Sequence, residues 1–270
     1  MKEIGGPSSV MEKARGLWTD YTPRKKEKLA VAGVDSSWNL VPYLGYYVYA
    51  VDAVCQTQEG RDAVPPRFDV GAGVLSVVEG RELTTDPRMV LESEGMDLEY
   101  KMAKEGSQGS DFVLVDGSLL ARFYDRRRRH AIAFYEHARD LMKERNVIFV
   151  SKRSESNKLF GAPVGDIHYF NVATSCAGYS SPYLDKGGVT VFYVRLSDRS
   201  PCLRVEAPGE VDGRGQRELM DALGSYSVDG YPYPLRVAHE SCRISNEDMR
   251  RLVDILGLAA ETGGREVLGE

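Results

Sequence analysis

Two aspartates each close an apolar run. Val31-Ala32-Gly33-Val34 leads into Asp35-Ser36-Ser37, and Phe112-Val113-Leu114-Val115 leads into Asp116-Gly117-Ser118. A short Val-rich run closed by Gly or Ser is the signature of a strand buried on both faces. The residue that ends it leaves the sheet at an edge where ligands commonly bind. An unpaired carboxylate buried there is costly, so it calls for a cation, a metal or a hydrogen-bond cluster. A single Asp of this kind is more often a helix cap or turn residue, with Ser36, Ser37 or Ser118 as helpers. Two in matched settings point instead to a shared site.

A third run, Val147-Ile148-Phe149-Val150, ends in Ser151-Lys152-Arg153-Ser154 and repeats the pattern with cations in place of acids. Lys152 there suits a phosphate, with an ordinary surface lysine as the competing account. Arg126-Arg127-Arg128-Arg129 would cover all sides of a helix, and a phosphate backbone would relieve their repulsion. Of the histidines, His130, His137, His168 and His239, each taken alone is more often a hydrogen-bonded structural residue than a metal ligand. Asp166, in Gly165-Asp166-Ile167-His168, offers a further acid or a simple turn. The tyrosines of Tyr43-Leu44-Gly45-Tyr46-Tyr47-Val48-Tyr49 would stack nucleobases or, as such residues usually do, fill a half-buried sheet.

The elements that must carry these groups follow from periodicity and punctuation. Tyr43 to Val54 reads as a strand forming a hairpin with the Asp35 strand, and Ala72 to Val78 as another short strand. Asp86 and Pro87 open a helix running to Glu105, with Glu92 and Glu99 on one face. Ser118 to Arg145 reads as one long amphipathic helix or a pair. Val189 to Leu196 and Cys202 to Glu206 form a hairpin, Gly209 to Gly215 a turn and Glu218 to Tyr226 a short helix. The prolines of Gly230-Tyr231-Pro232-Tyr233-Pro234-Leu235 predict extended geometry. Ser245 with Asp248 makes a capping box for a last helix, Glu247 to Leu256.

Composition bounds the rest. The 270 residues, 42% of them hydrophobic, suffice for a sizeable core. The organisation expected is a basic N-terminal arm over residues 1–30, one large domain over 31–257, and a frayed tail over 258–270. A net charge of -5 does not advertise nucleic-acid binding by the whole molecule and leaves room for a local basic patch. The arm, with Lys13, Arg15, Arg24, Lys25, Lys26 and Lys28, is a solvated face or, on the sharper reading, a contact for DNA or a partner subunit. Four widely spaced cysteines without a CxxC pair argue against a structural zinc site or a disulfide scaffold and fit a reducing cytosol. No run is long and apolar enough to span a bilayer.

The blocks VAGVDSSWN, FVLVDGSLL, VSKRS and GYPYPLRVAHESCRIS, in this order and spacing, resemble the NurA family of nucleases from about Val31 to Ile255. The resemblance implies an α/β ribonuclease H-like fold, a central mixed β-sheet flanked by helices, with helical N- and C-terminal additions. It implies a manganese-dependent DNA nuclease that digests 5′ to 3′ and cuts single strands internally. It also implies a homodimer docked on the hexameric ATPase HerA during the end resection that precedes recombinational repair. By the same resemblance Asp35 and Asp116 hold metal, Glu99 is the helix-borne acid, and Tyr231, His239 and Lys152 complete the site.

The chemistry of these groups agrees with that assignment. Phosphodiester hydrolysis needs an activated water, charge stabilisation at the phosphoryl oxygens and help for the leaving alkoxide, all of which carboxylate-held divalent metals provide. Oxygen ligands suit magnesium or manganese, and an imidazole tilts the choice to manganese. On this reading Asp35, Glu99, Asp116 and His239 are the metal ligands, with His239 alternatively a proton shuttle, Lys152 binds the scissile phosphate, and Tyr231 positions DNA or the attacking water. Two other classes remain open: a catalytically silent ribonuclease H-like module that binds DNA or the ATPase, and an actin-like phosphotransferase, for which Asp116-Gly117-Ser118 is a poor phosphate loop.

Overall fold

The computed structural model describes residues 8–26, 28–75, 77–79, 82–84, 86–124 and 139–258. Its centre is an antiparallel meander of β2 (Val31–Pro42), β3 (Tyr47–Thr57) and β4 (Asp62–Gly73). Helix α2 (Pro87–Gly106), capped by Asp86 with Pro87 in its first turn, then carries the chain back across the meander. Strand β7 (Phe112–Asp116) follows it and lies parallel to β2, and β8 (Val147–Ser151) lies parallel to β7. Three antiparallel strands followed by two strands parallel to the first, with a helix between, is the ribonuclease H-like arrangement that the sequence blocks implied.

The sheet continues past β8 through β12 (Leu203–Pro208), β11 (Val189–Arg195) and β9 (Gly178–Ser180) to β1 (Trp18–Asp20) at the far edge. Strand β10 (Tyr183–Leu184) pairs beside β11. Two small hairpins, β5 (Val77–Glu79) with β6 (Glu82–Thr84) and β13 (Ser227–Val228) with β14 (Tyr231–Pro232), stand outside this sheet. Helix α1 (Ser8–Gly16) packs Ala14 with Tyr169 and Phe170 of α4 (Asp166–Ala173).

Side chains that alternate along the central strands build two cores. Ala32, Val34, Val113, Val115, Val147 and Phe149 meet Tyr100 and Met102 of α2 and Leu119 of α3 (Leu119–Tyr124) on one face. Val31, Leu114, Ile148 and Val150 meet Leu219, Met220 and Leu223 of α5 (Gly213–Ser225) and Leu235 of α6 (Tyr233–Ser241) on the other. Strands that bury both faces read as unbroken apolar runs, which is why these three were visible in the sequence.

Several expectations change. Strand β2 does not end at Asp35; it runs to Pro42, and what ends there is its pairing with β7, whose last partners are Val34 and Val115. The short strand expected from Ala72 is instead the end of β4, an edge strand that runs from Asp62 and tolerates Pro65 and Pro66, which cannot donate to a ladder. The segment from Gly230 is extended only through Pro232; Pro234 lies in the first turn of α6, where its missing N–H costs nothing. Helix α5 begins at Gly213, capped by Asp212, and absorbs part of the expected turn. The last helix, α7 (Asn246–Ile255), carries the expected capping box. The four arginines 126–129, His130, His137 and residues 259–270 of the expected tail lie outside the described residues.

Candidate metal and phosphate site

The period of the strands decides what meets at the end of the parallel pairing. Asp35 follows Val31 and Gly33, Asp116 follows Leu114, and Lys152 follows Ile148 and Val150, each at intervals of two. All three therefore continue the face covered by α5 and α6. Lys152 Nζ stands 3.3 Å from Asp116 Oδ2. Tyr231, on β14, donates its hydroxyl to the same oxygen at 3.2 Å. The ammonium of Lys152 also sits 4.2 Å from the Tyr231 ring centroid, a cation–π contact.

Helix α6 supplies the next group. Its entry lies directly on β2: a Cβ on Gly33 would stand 2.3 Å from the Pro234 carbonyl oxygen, so only glycine admits this approach. Five residues on along the helix, His239 reaches Asp35, Nδ1 to Oδ2 at 2.7 Å. The imidazole is exposed while the carboxylate beneath it is nearly buried.

Glu99 approaches from the opposite face. It lies on α2, is 4% exposed, and accepts a 2.6 Å hydrogen bond from Ser36 Oγ. Ser36 and Asp35 are adjacent on β2, so one peptide links the groups of the two faces. Asp35 senses both other acids. Burial pushes the Asp35 carboxyl up to about 6, the negative charge of Glu99 adds to it, the His239 contact opposes it, and Asp116 adds again. Hard oxygen donors crowded until one resists ionising are a donor set that a divalent cation would relieve. Among the described residues, however, no three acidic, imidazole or thiol side chains already close on one point, so holding an ion requires side-chain rotation.

All six residues singled out in the sequence thus fall into one connected set. Asp166 does not join it: its buried carboxylate accepts from Leu159 N and Phe160 N and clamps a loop. His168 packs its ring against Tyr169 in α4. Sequence reasoning missed Ser36 as the link to Glu99. It also missed Arg204 and Glu206, buried on β12 beside the turns that follow Asp116 and Lys152. Both sat inside an apolar strand pattern, and a charged residue there was the available signal.

A ribonuclease H-like sheet with acids at the mouth of its parallel strands defines the class. The NurA domain matches residues 29–244, and the chain belongs to the NurA family. The DNA double-strand break repair nuclease NurA of Saccharolobus solfataricus is 25% identical, covering 92% of this chain and 87% of its own. That of Sulfurisphaera tokodaii is 21% identical over the same shares. The crystal structure of the NurA nuclease from Sulfolobus solfataricus superposes with a TM-score of 0.76 at 22% identity, covering 92% of this chain and 88% of that one. A NurA crystal structure bound to dAMP and manganese superposes at 0.66 with 11% identity, covering 94% and 93%.

Proposed function

We propose that this chain is a manganese-dependent DNA nuclease of double-strand break repair, with magnesium as a possible substitute. On this reading it digests 5′ to 3′, cuts single strands internally, and works in the cytoplasm as a homodimer with a HerA-type hexameric ATPase during end resection. The observation that carries the hydrolytic part is that Asp35, Asp116 and Lys152 share one sheet face at the mouth of the parallel strands, with Glu99 held to the neighbouring Ser36. The curated NurA relatives are double-strand break repair nucleases, which supports the biological setting.

Asp35, Glu99, Asp116 and the outward nitrogen of His239 would hold the ion. When bound, it supplies charge to activate water and to stabilise the phosphoryl oxygens and the leaving alkoxide. Lys152, whose ammonium stands 3.3 Å from Asp116, binds a non-bridging oxygen of the scissile phosphate by a charge-assisted hydrogen bond. Tyr231 keeps that ammonium in place through its ring and holds Asp116 through its hydroxyl. His239 fixes the orientation of Asp35 through Nδ1, and its Nε2 holds the ion or, alternatively, moves a proton.

The rival reading is a silent module that only binds DNA or the ATPase. Digestion of end-labelled single-stranded DNA separates the two. The nuclease gives products that require manganese and vanish in Asp35→Ala, with the folded state intact by circular dichroism. Undiminished cleavage by Asp35→Ala would refute the site, and no cleavage by the unaltered chain would favour the silent module.

A further inference from the structure

Strand β12 places Arg204 and Glu206 on the α2 and α3 face, at 4% and 0% exposure. Arg204 Nε stands 2.8 Å from Glu206 Oε1, an ion pair rather than an aligned hydrogen bond. The remaining contacts of the pair reach two different turns. Glu206 accepts Ser118 Oγ at 2.6 Å through Oε1 and Leu120 N at 2.9 Å through Oε2. Arg204 donates Nη1 to Ser154 Oγ at 2.9 Å. Ser118 is two residues beyond Asp116, and Ser154 is two residues beyond Lys152.

A buried ion pair seldom adds stability over a well-packed apolar pair of similar volume. β12 could fill this face with aliphatic side chains, as it fills the other with Leu203, Val205 and Ala207. What aliphatic side chains could not do is grip both turns by hydrogen bonds. The turn after Asp116 also depends on Gly117, whose φ of 111° places it in the left-handed region. That turn is already tied to β8 by Gly117 N donating to Val150 O at 3.0 Å, and the buried pair adds the second link, through Ser118 and Leu120.

We propose that the Arg204–Glu206 pair is a positioning element that ties the turn after Asp116 to the turn after Lys152. It fixes the distance between the acid and the ammonium that act on one phosphate. Neither residue touches the reacting atoms; they act through Ser118, Leu120 and Ser154. The inference deepens the nuclease reading and rests on it for its kinetic consequence, while the tie itself is a property of the metal-free fold.

Two measurements test it. In the metal-free chain, Glu206→Gln should speed amide hydrogen exchange at residues 117–120 and also at 152–154, while β7 and β8 stay protected. Faster exchange at the first turn alone would overturn the tie. In manganese, Glu206→Gln should lower kcat on single-stranded DNA by about tenfold to a hundredfold, with KM within about twofold, as misplaced groups do. The double variant Arg204→Met with Glu206→Leu should melt no lower than the unaltered chain yet keep the low kcat. If that apolar pair restores kcat, the role is packing only, and the double variant decides the matter even if Glu206→Gln folds poorly. Failure of the unaltered chain to cleave would instead sink the nuclease reading, and exchange would still judge the tie.

Discussion

Asp35 Oδ2 and His239 Nδ1 lie 2.7 Å apart although 204 residues separate them in the chain. One sits where β2 parts from β7, the other late in α6, and the bare backbone of Gly33 lets the helix come close enough for them to meet. The contact uses Nδ1, so the other ring nitrogen is left for an ion or a proton. Replacing His239 by Asn, whose amide can imitate Nδ1, should therefore preserve more cleavage than replacing it by Gln, which imitates Nε2. Both should lose activity, the Gln variant by about tenfold more, the scale typical of groups that orient a ligand. Steady-state kcat values for the two variants check the order; a reversed order would mean the Asp35 contact is incidental.

Gly33→Ala should loosen the same contact from the backbone side. Its methyl group would press on the Pro234 carbonyl, and overpacking of this kind costs about 1–3 kcal/mol. Thermal melting should drop by about 2–4 °C per kcal/mol for a chain near this size, and cleavage should fall with it. Gly16→Ala, with no atom near the added methyl, is the matched control and should leave both unchanged.

Tyr231 holds two neighbours by different means, which its variants should separate. Tyr231→Phe removes the hydroxyl that Asp116 accepts but keeps the ring beneath Lys152. The loss of one hydrogen bond predicts about a fivefold fall in kcat. Tyr231→Ala also removes the cation–π support, and Lys152 should then bind phosphate less well, adding about another tenfold in kcat/KM. Equal losses in the two variants would leave the ring without a part to play.

Asp52 on β3 offers a pH test away from the six residues. Burial pushes its carboxyl up to about 6, the Ala53 N–H opposes that, and Asp62 adds to it; one of its oxygens is buried without a hydrogen bond among the described residues. A raised carboxyl binds its proton more tightly in the folded chain than in the unfolded one. Stability from this group is thus greatest below the unfolded value near 4 and declines as pH rises through about 6. Asp52→Asn should stabilise the protein by about 1–2 kcal/mol at pH 8, the full shift being discounted for partial exposure, and by almost nothing at pH 4. Urea unfolding at the two pH values measures the difference, and a gain confined to low pH would reverse the assignment.

Much of the site was legible because the strands that carry it are buried on both faces. Asp35, Asp116 and Lys152 each break an apolar run, and a charge that interrupts such a run has few structural excuses. Glu99 was different: α2 carries several glutamates, and the Ser36 hydroxyl that singles out one of them belongs to a strand far back in the chain. Arg204 and Glu206 stand out as charges in an otherwise apolar strand, but only the three-dimensional neighbours reveal the two turns they bind. The start of α6 was misread because its prolines were taken to force extended geometry where a first helical turn accepts one.

The far border of the sheet bears on how the protein should be handled. The family match begins at residue 29, yet Trp18–Asp20 already pair with Gly178–Ser180, and Ala14 plugs the neighbouring helix pair. A recombinant version trimmed to the matched region would strip this hem and leave the backbone of Gly178–Ser180 open to any passing strand, inviting aggregation. Expression from residue 8 or earlier should keep the protein tractable, and loss of the first 28 residues to a protease should show up as precipitation before it shows up as lost catalysis.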